Sequence, residues 1–351
     1  MKIKVVNPYI KGVTMEEFPE LHLPEELEKE DLYLSPPWID SHCHVYHGVT
    51  SFGLKPDEVG YKQGVHLLAD AGSAGEETFA GLRDYVLPRY RTRVLEFLNI
   101  SSIGLVTMQE SHDLRKLDPE KAAACIQANP GKIGGVKVRS SRIIVEDRGI
   151  EPLQRAVKAA ELAGCPVMIH MGETPPSNEE NLALLRGGDI LSHCFHGKDT
   201  PLWTKEGEPI PAMRDALNRG VVLDTAHGAA SFDQNVAAAA IARGYRDFII
   251  STDLHGRNVN GPVYSLSHTM SKFLALGLTL TEVIRAVTLK PAETFGLTGW
   301  CDNLMENATL FRLRGKKDDD HPFVDSMRSP ISVTEVIEPV AVIMDGEVIA
   351  L

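Results

Sequence analysis

The sequence predicts a (β/α)8 barrel, the TIM-barrel class of α/β fold, with a small β-sandwich-like subdomain attached. Three observations support this: eight short apolar runs, helical patterns between several of them, and strand and turn patterns at both ends of the chain. Runs that are apolar almost throughout are typical of strands buried on both faces. Because parallel strands need crossover helices, eight such units in series favour a closed barrel.

Each apolar run ends at or near a polar residue and is followed by a loop. The runs are 38–40, 65–70, 94–99, 135–138, 166–170, 189–193, 221–224 and 248–253. Three of the intervening helices are clearly marked, at 118–128, 151–163 and 281–289. The first opens on an Asp-Pro cap, the second ends at Gly164, and the third is expected to stop before Pro291.

The two ends of the chain carry a different pattern. Short strand signals occur at 2–6, 309–313 and 340–343, and the Asp345-Gly346 pair indicates a hairpin turn. We therefore expect residues 1–36 and 307–351 to form the small β subdomain together. Residues 37–306 are the predicted barrel.

Composition excludes several classes of partner. The formal net charge of −12 over 351 residues repels nucleic acid and anionic membranes. No window approaches the ~20 apolar residues of a membrane helix, and the first residues lack the apolar segment of a secretory signal. Five scattered cysteines, an odd number, argue against a disulfide framework. We expect a cytoplasmic protein that acts on a small molecule and forms a homo-oligomer.

Polar residues with metal-binding chemistry lie at the ends of five of these runs. In a (β/α)8 barrel the C-terminal ends of all strands open on one face, where active sites lie. The candidate metal ligands are His42, His44, Lys137, His170, His193 and Asp253. His42 and His44 are two residues apart, so in an extended strand both side chains point the same way and can bind one ion.

The residue types suit a two-metal hydrolytic site. Imidazole nitrogens and carboxylate oxygens bind Zn²⁺ and its neighbours, and Asp253 can also take the proton of the attacking water as general base. A free Lys137 ammonium would be disfavoured beside cations, whereas a carbamate formed from CO2 is an anionic bridge. Two ions ~3.5–4 Å apart can share a bridging hydroxide and polarise a substrate carbonyl.

The opening run resembles the first strand of the amidohydrolase superfamily. It reads Pro37-Trp38-Ile39-Asp40-Ser41-His42-Cys43-His44, and the candidate ligands that follow, from Lys137 to Asp253, continue the match in order. The resemblance is to the binuclear branch with a carboxylated lysine. More narrowly, the chain is similar to the dihydroorotase-like amidohydrolase/deacetylase family. The stretches that carry this narrower resemblance are 44–48, 70–75, 97–104, 136–139 and 260–265.

The resemblance implies a site and an activity. It implies two ions, usually zinc, with His42, His44 and Asp253 on one ion and His170 and His193 on the other. Lys137 would bridge them. The implied reaction is hydrolysis of an amide or ester bond, of deacetylase type, in a small carboxylate-bearing substrate.

One departure bears on the substrate. Dihydroorotases have an arginine at the second position after their His-x-His pair, whereas this chain has Tyr46. Tyrosine does not offer the bidentate carboxylate binding of a guanidinium, so dihydroorotase activity is the alternative rather than the first prediction. Arg139, two residues beyond Lys137, is the proposed substitute anchor. The competing interpretation of Arg139 is a structural ion pair.

A second alternative is an adenine-type aminohydrolase. The stretch His170-Met171-Gly172-Glu173 resembles the His-x-Gly-Glu of purine deaminases, in which the glutamate moves a proton to the ring. Such deaminases usually use one ion and no bridging lysine, so Lys137 favours the hydrolase. A non-catalytic binding barrel is the third hypothesis, but relatives of that kind typically lose metal ligands. His255 completes the predicted substrate contacts with Tyr46, Arg139 and Glu173.

Overall fold

Thirteen strands form two sheets in the computed structural model, which describes residues 2–9, 12–19, 21–28 and 31–351. The strands are β1 Lys2–Asn7, β2 Gly12–Glu17, β3 Tyr33–Ser35, β4 Trp38–Cys43, β5 Val65–Asp70, β6 Arg93–Asn99, β7 Ile133–Ser140, β8 Val167–Met171, β9 Ile190–Ser192, β10 Val222–Asp224, β11 Asn307–Gly315, β12 Glu335–Met344 and β13 Glu347–Ala350.

Twelve α-helices accompany these strands in the described ranges. They are α1 Glu25–Glu28, α2 Pro56–Val59, α3 Phe79–Gly81, α4 Pro119–Gln127, α5 Arg142–Val145, α6 Glu151–Ala163, α7 Asn178–Leu184, α8 Pro211–Asn218, α9 Gln234–Ala242, α10 Leu266–Ala275, α11 Leu280–Val287 and α12 Leu289–Thr294. Over the ranges that the structure covers, none of the helices is long and apolar enough to cross a membrane.

The parallel sheet has the order β4-β5-β6-β7-β8-β9-β10 and curves into a nearly closed barrel. The eighth apolar run closes it through single bridges, Asp224 to Ile249 on one side and Cys43 to Leu254 on the other. The sequence predicts a regular eighth strand here. Only Ile249 and Leu254 form bridges here, and Asp253, with φ of 51°, lies outside the extended region.

Local sequence signals account for the helix ends. The Asp118 side chain accepts the first N–H groups of α4, and Gly164 ends α6 in the left-handed conformation, as predicted. The third predicted helix begins differently: Thr279 caps α11 in a reciprocal capping box with Glu282. Pro291 does not simply follow a helix end. It lies in the first turn of α12, where its missing N–H costs no helical hydrogen bond.

The two ends of the chain meet in one mixed sheet of the order β13-β12-β11-β3-β1-β2. This confirms a β subdomain built from both termini, and in the described residues it is a single six-stranded sheet. The Asp345-Gly346 hairpin turn joins β12 to β13, and both residues have positive φ, of 51° and 81°. The buried Trp38 of the barrel packs on Phe311 of this sheet at 5.6 Å between ring centres. The predicted boundaries, 1–36 and 307–351, stay a prediction.

Candidate metal centre

Three of the predicted ligands, His42, His44 and Asp253, converge at the C-terminal end of β4. The Asp253 Oδ1 atom lies 3.1 Å from His44 Nε2 and 3.7 Å from His42 Nε2. One ligand atom from each of these residues lies within 4.8 Å of the others. The Nζ atom of Lys137 lies 3.3 Å from His42 Nε2, although 95 residues separate the two in sequence. Parallel strands of one barrel bring them together.

The other two predicted histidines lie beside this group. The rings of His170 and His193 meet edge to face with centres 4.4 Å apart, and the His193 ring centre lies 5.4 Å from that of His42. His193 donates from Nδ1 to the Ala226 carbonyl at 2.7 Å. Its Nε2 is therefore an unprotonated acceptor, buried with no hydrogen-bond partner. A buried orphan acceptor of this kind is expected where a metal ion binds.

The outer nitrogens of the first histidine pair are fixed by groups that the sequence analysis did not identify. His42 Nδ1 contacts Ser192 Oγ at 3.0 Å and Asp224 Oδ2 at 3.2 Å, and His44 Nδ1 contacts Ser73 Oγ at 3.1 Å. Such contacts hold the ring orientation and direct each Nε2 toward Lys137 or Asp253 in the ligand cluster. Asp224 ends β10 and so fits the rule of polar residues at strand ends, which is the signal that pointed to the other ligands.

Two glycines make room for two of the functional side chains. A Cβ at Gly72, where φ is 84°, would lie 2.6 Å from Lys137 Cγ. A Cβ at Gly228, where φ is 60°, would lie 2.7 Å from Asp253 Oδ2. Any larger residue at either position would displace a side chain of the site. His193 and Asp253 themselves have positive φ, of 62° and 51°, a costly conformation that is concentrated at functional sites.

Burial sets the protonation states of the group. It lowers the pKa of Lys137 to about 7, against the opposing pull of Asp253, because a buried ammonium loses its hydration. Burial, reinforced by neighbouring cationic groups, lowers the pKa values of His42 and His170 well below their usual range. Burial raises the pKa of Asp253, but the hydrogen bond from His44 helps to outweigh it and the pKa falls to about 2. Neutral imidazoles beside an ionised carboxylate form the donor set that a divalent metal requires.

A cavity of about 330 Å³ opens above these residues. His42, His44, Lys137, His170 and Asp253 line its floor, while His193 lies buried beneath. Apolar side chains form much of the wall, among them Phe52, Leu105, Met108, Ile143 and Ile144. The cavity therefore combines a cluster of candidate metal ligands with an apolar surface.

Three of the four predicted substrate contacts line this cavity. Arg139 does so, but its Nε and Nη2 atoms donate to both carboxylate oxygens of the buried Glu110 at 2.6 Å. Glu173 pairs with Lys198 at 2.7 Å. That pair outweighs the effect of burial, so the pKa of Glu173 is lowered. His255 is in the wall with its ring stacked on Phe52 at 4.5 Å.

Tyr46 is not among the residues that line the cavity, and its contact with substrate stays a prediction. Its side chain is buried in the core, and its hydroxyl donates to the Thr78 carbonyl at 2.8 Å. β4 ends at Cys43, so His44 and Tyr46 both lie beyond the strand, and strand alternation does not fix the direction of either side chain. In the structure the His44 ring meets Asp253, whereas the Tyr46 side chain packs in the core.

Comparisons with known proteins give relatives over most of the chain. A Brucella anthropi protein named deacetylase is 39% identical over 284 residues, which are 79% of this chain and 71% of that protein. A deacetylase of Agrobacterium fabrum is 36% identical over 334 residues, which are 93% of this chain and 81% of that protein. No established family profile matches the sequence.

Two solved structures share both fold and sequence with the chain. One, described as an adenine deaminase, superposes with a TM-score of 0.85 at 34% identity and covers 91% of this chain and 88% of its own. The other, described as a dihydroorotase, superposes with a TM-score of 0.82 at 37% identity and covers 91% of this chain and 84% of its own. Relatives and folds of this kind confirm a TIM-barrel enzyme that hydrolyses its substrate. The chain therefore belongs to the amidohydrolase superfamily, in the family that contains these bacterial deacetylases.

Proposed function

We propose that this enzyme binds two divalent metal ions, with zinc the expected metal, and deacylates a small acid that carries a carboxylate. The burial of Lys137 among the candidate histidine ligands is the observation that supports the two-metal assignment. Its Nζ is buried among the histidine ligands, and no described carboxylate lies within ion-pair distance of it. A lysine in that position needs a chemical role, because a buried, unpaired ammonium is costly.

Carboxylation gives Lys137 that role. With a pKa of about 7, part of the lysine is the neutral amine at neutral pH, which adds to CO2 and releases one proton to give a carbamate. The carbamate supplies two anionic oxygen donors. One ion would then take His42, His44 and Asp253, and the other His170 and His193, with Lys137 between them.

The ions supply Lewis acidity that polarises an acyl carbonyl and activates water. The protein supplies the proton transfers. The Asp253 carboxylate, ionised in this site, takes the proton of the attacking water and returns it to the leaving nitrogen or oxygen. The contact with His44 holds the Asp253 carboxylate in place, and Gly228 leaves the space that its other oxygen occupies.

The relatives support deacylation over the alternatives. Two of them carry the name deacetylase, whereas the two solved structures are described as an adenine deaminase and a dihydroorotase. The carboxylate of Glu173 is held ionised by Lys198, which does not suit it to donate a proton to a purine ring. Tyr46 offers no cation to a dihydroorotate carboxylate, and its hydroxyl is bound elsewhere.

The test is an activity screen of the zinc-loaded protein. The panel contains N-acyl amino acids, O-acyl hydroxy acids, dihydroorotate and adenine, and chelated protein is the control. We expect hydrolysis of acyl compounds with kcat/KM on the order of 10⁴ M⁻¹ s⁻¹ or more for the best member. Ammonia release from adenine, or ring opening of dihydroorotate, in the absence of acyl hydrolysis would contradict the proposal.

We also propose a cytoplasmic location and the absence of nucleic-acid and membrane partners, which rest on the charge and composition of the chain. A homo-oligomeric state is a further proposal.

A further inference from the structure

We propose that Arg257, at the mouth of the cavity, binds the carboxylate of the substrate. This deepens the proposed function, on which it rests, by naming the group that selects an anionic acyl substrate. It also replaces Arg139, to which the sequence analysis gave that role.

Lys137 lies among the candidate metal ligands, and the remaining two cations of the cavity, Arg139 and Lys198, are already neutralised. Arg139 forms a two-pronged pair with Glu110, whose side chain is 1% exposed, and Arg139 Nη2 also donates to the Met108 carbonyl at 3.1 Å. Lys198 pairs with Glu173 at 2.7 Å. A substrate anion would have to displace a carboxylate from either cation, at the cost of leaving that carboxylate in a partly desolvated site.

Arg257 is the cavity-lining arginine with no carboxylate partner among the described residues. Its guanidinium carbon lies 5.0 Å from the centre of the Phe52 ring, and the side chain is exposed. A guanidinium that rests on an aromatic face keeps its N–H edge free for a bidentate contact with a carboxylate. The ring also limits the rotamers of the side chain, so less entropy is lost on binding.

The loop that presents Arg257 is fixed to the site. The Asn258 side chain donates to the Asp253 carbonyl at 2.7 Å, and the Arg257 backbone N–H donates to His255 Nδ1 at 3.1 Å. Gly256 N donates to the Phe52 carbonyl at 3.0 Å. Arg257 is therefore carried by the same short loop that begins at the candidate general base.

Phe52 connects this cation to the metal ligands. Its ring centre lies 5.7 Å from that of His44 and 4.5 Å from that of His255. The ring thus lies between the floor of the cavity and Arg257. If the acyl group of the substrate lies over the candidate metal ligands, its leaving group extends across Phe52 toward the mouth of the cavity, and the carboxylate of the leaving group reaches Arg257.

The substrate class follows from this arrangement. The acid part is an amino or hydroxy acid whose nitrogen or oxygen carries the acyl group, and its carboxylate meets Arg257. Its side chain faces apolar residues of the wall, such as Leu105 and Ile143. Because the whole chain carries a formal charge of −12, a substrate anion needs a local cation of this kind.

The first test compares KM for charged and neutral substrates. The best acyl acid of the activity screen and its primary amide are assayed with the wild type, Arg257→Met and Arg257→Lys. We expect Arg257→Met to raise KM for the acid about ten- to hundredfold, with kcat and the KM of the amide little changed. Arg257→Lys should recover part of the loss. The control is Arg115→Met, an exposed arginine outside the cavity, which should change none of these values.

The second test needs no turnover. Phenylglyoxal modifies accessible arginines, and peptide mass spectrometry reports the rate at each one. We expect N-acetylglycine to slow the modification of Arg257 and N-acetylglycinamide to leave it unchanged, while Arg139, bound to Glu110, reacts slowly in all cases. Equal modification of Arg257 with both compounds, or equal KM changes for acid and amide, would overturn the inference. Protection of Arg257 without hydrolysis of any acyl compound would uphold the carboxylate site and defeat the proposed function.

Discussion

Replacing Lys137 with alanine should abolish both metal binding and catalysis. If Lys137 is carboxylated as proposed, the variant loses the two oxygen donors of the carbamate, and with them the bridge between the two ions. We expect metal content to fall by about one ion per chain or more, and activity by at least about a thousandfold. Short carboxylic acids such as formate and propionate should restore part of both, because they can occupy the space of the missing carbamate. Elemental analysis and an acyl-hydrolysis assay measure the two effects on one preparation.

Lys272 provides the matched control for this experiment. It is also a buried lysine whose pKa is lowered to about 7 by burial, but it contacts His227 and the Pro262 carbonyl and does not line the cavity. Lys272→Met should keep its metal, and formate should have no effect on its activity. Full metal content and activity in Lys137→Ala would show that the lysine does not bridge the ions.

Replacing Asp253 with asparagine should remove the proton transfers and leave the shape of the site. Asparagine keeps an acceptor oxygen for His44 Nε2, but an amide does not take a proton from water. We expect kcat to fall by about 10²- to 10⁴-fold, the usual contribution of a positioned general base. The metal site should also weaken, since a neutral oxygen replaces an anionic ligand. Steady-state kinetics at saturating zinc separates the first effect from the second.

Asp118→Asn is the control for that substitution. Asp118 caps α4, a position at which asparagine serves as well as aspartate, and it lies outside the cavity. Its kinetics should match the wild type. If Asp253→Asn kept a wild-type kcat, another group would have to be the base.

The barrel itself was predictable because its signals are local. Seven of the eight apolar runs are strands, and α6 has the predicted bounds, since buried strands and capped helices carry their own sequence patterns. The eighth run forms only isolated bridges, and Asp253 at its end has a positive φ. That distortion belongs to the site and has no signature in an apolar run.

The residues of the candidate site could be predicted from the sequence only where they lie at the ends of strands. Histidine, lysine and aspartate at strand ends identify the ligand cluster, because barrel topology brings those ends together. His44 and Tyr46 both follow the end of β4, so strand alternation does not tell which of them reaches the ligand cluster and which packs in the core. The roles of Arg139 and Arg257 depend on which cation meets a carboxylate from another loop. Glu110 neutralises Arg139, whereas Arg257 rests on Phe52 without a carboxylate partner among the described residues. No spacing rule connects residues 110 and 139.

The most direct test of the two-metal assignment is a zinc titration of chelated protein, followed by acyl hydrolysis at each step. We predict that activity rises until about two equivalents of zinc are bound per chain, with little activity in the absence of metal. Full activity at one equivalent, or activity that does not depend on metal, would contradict the account.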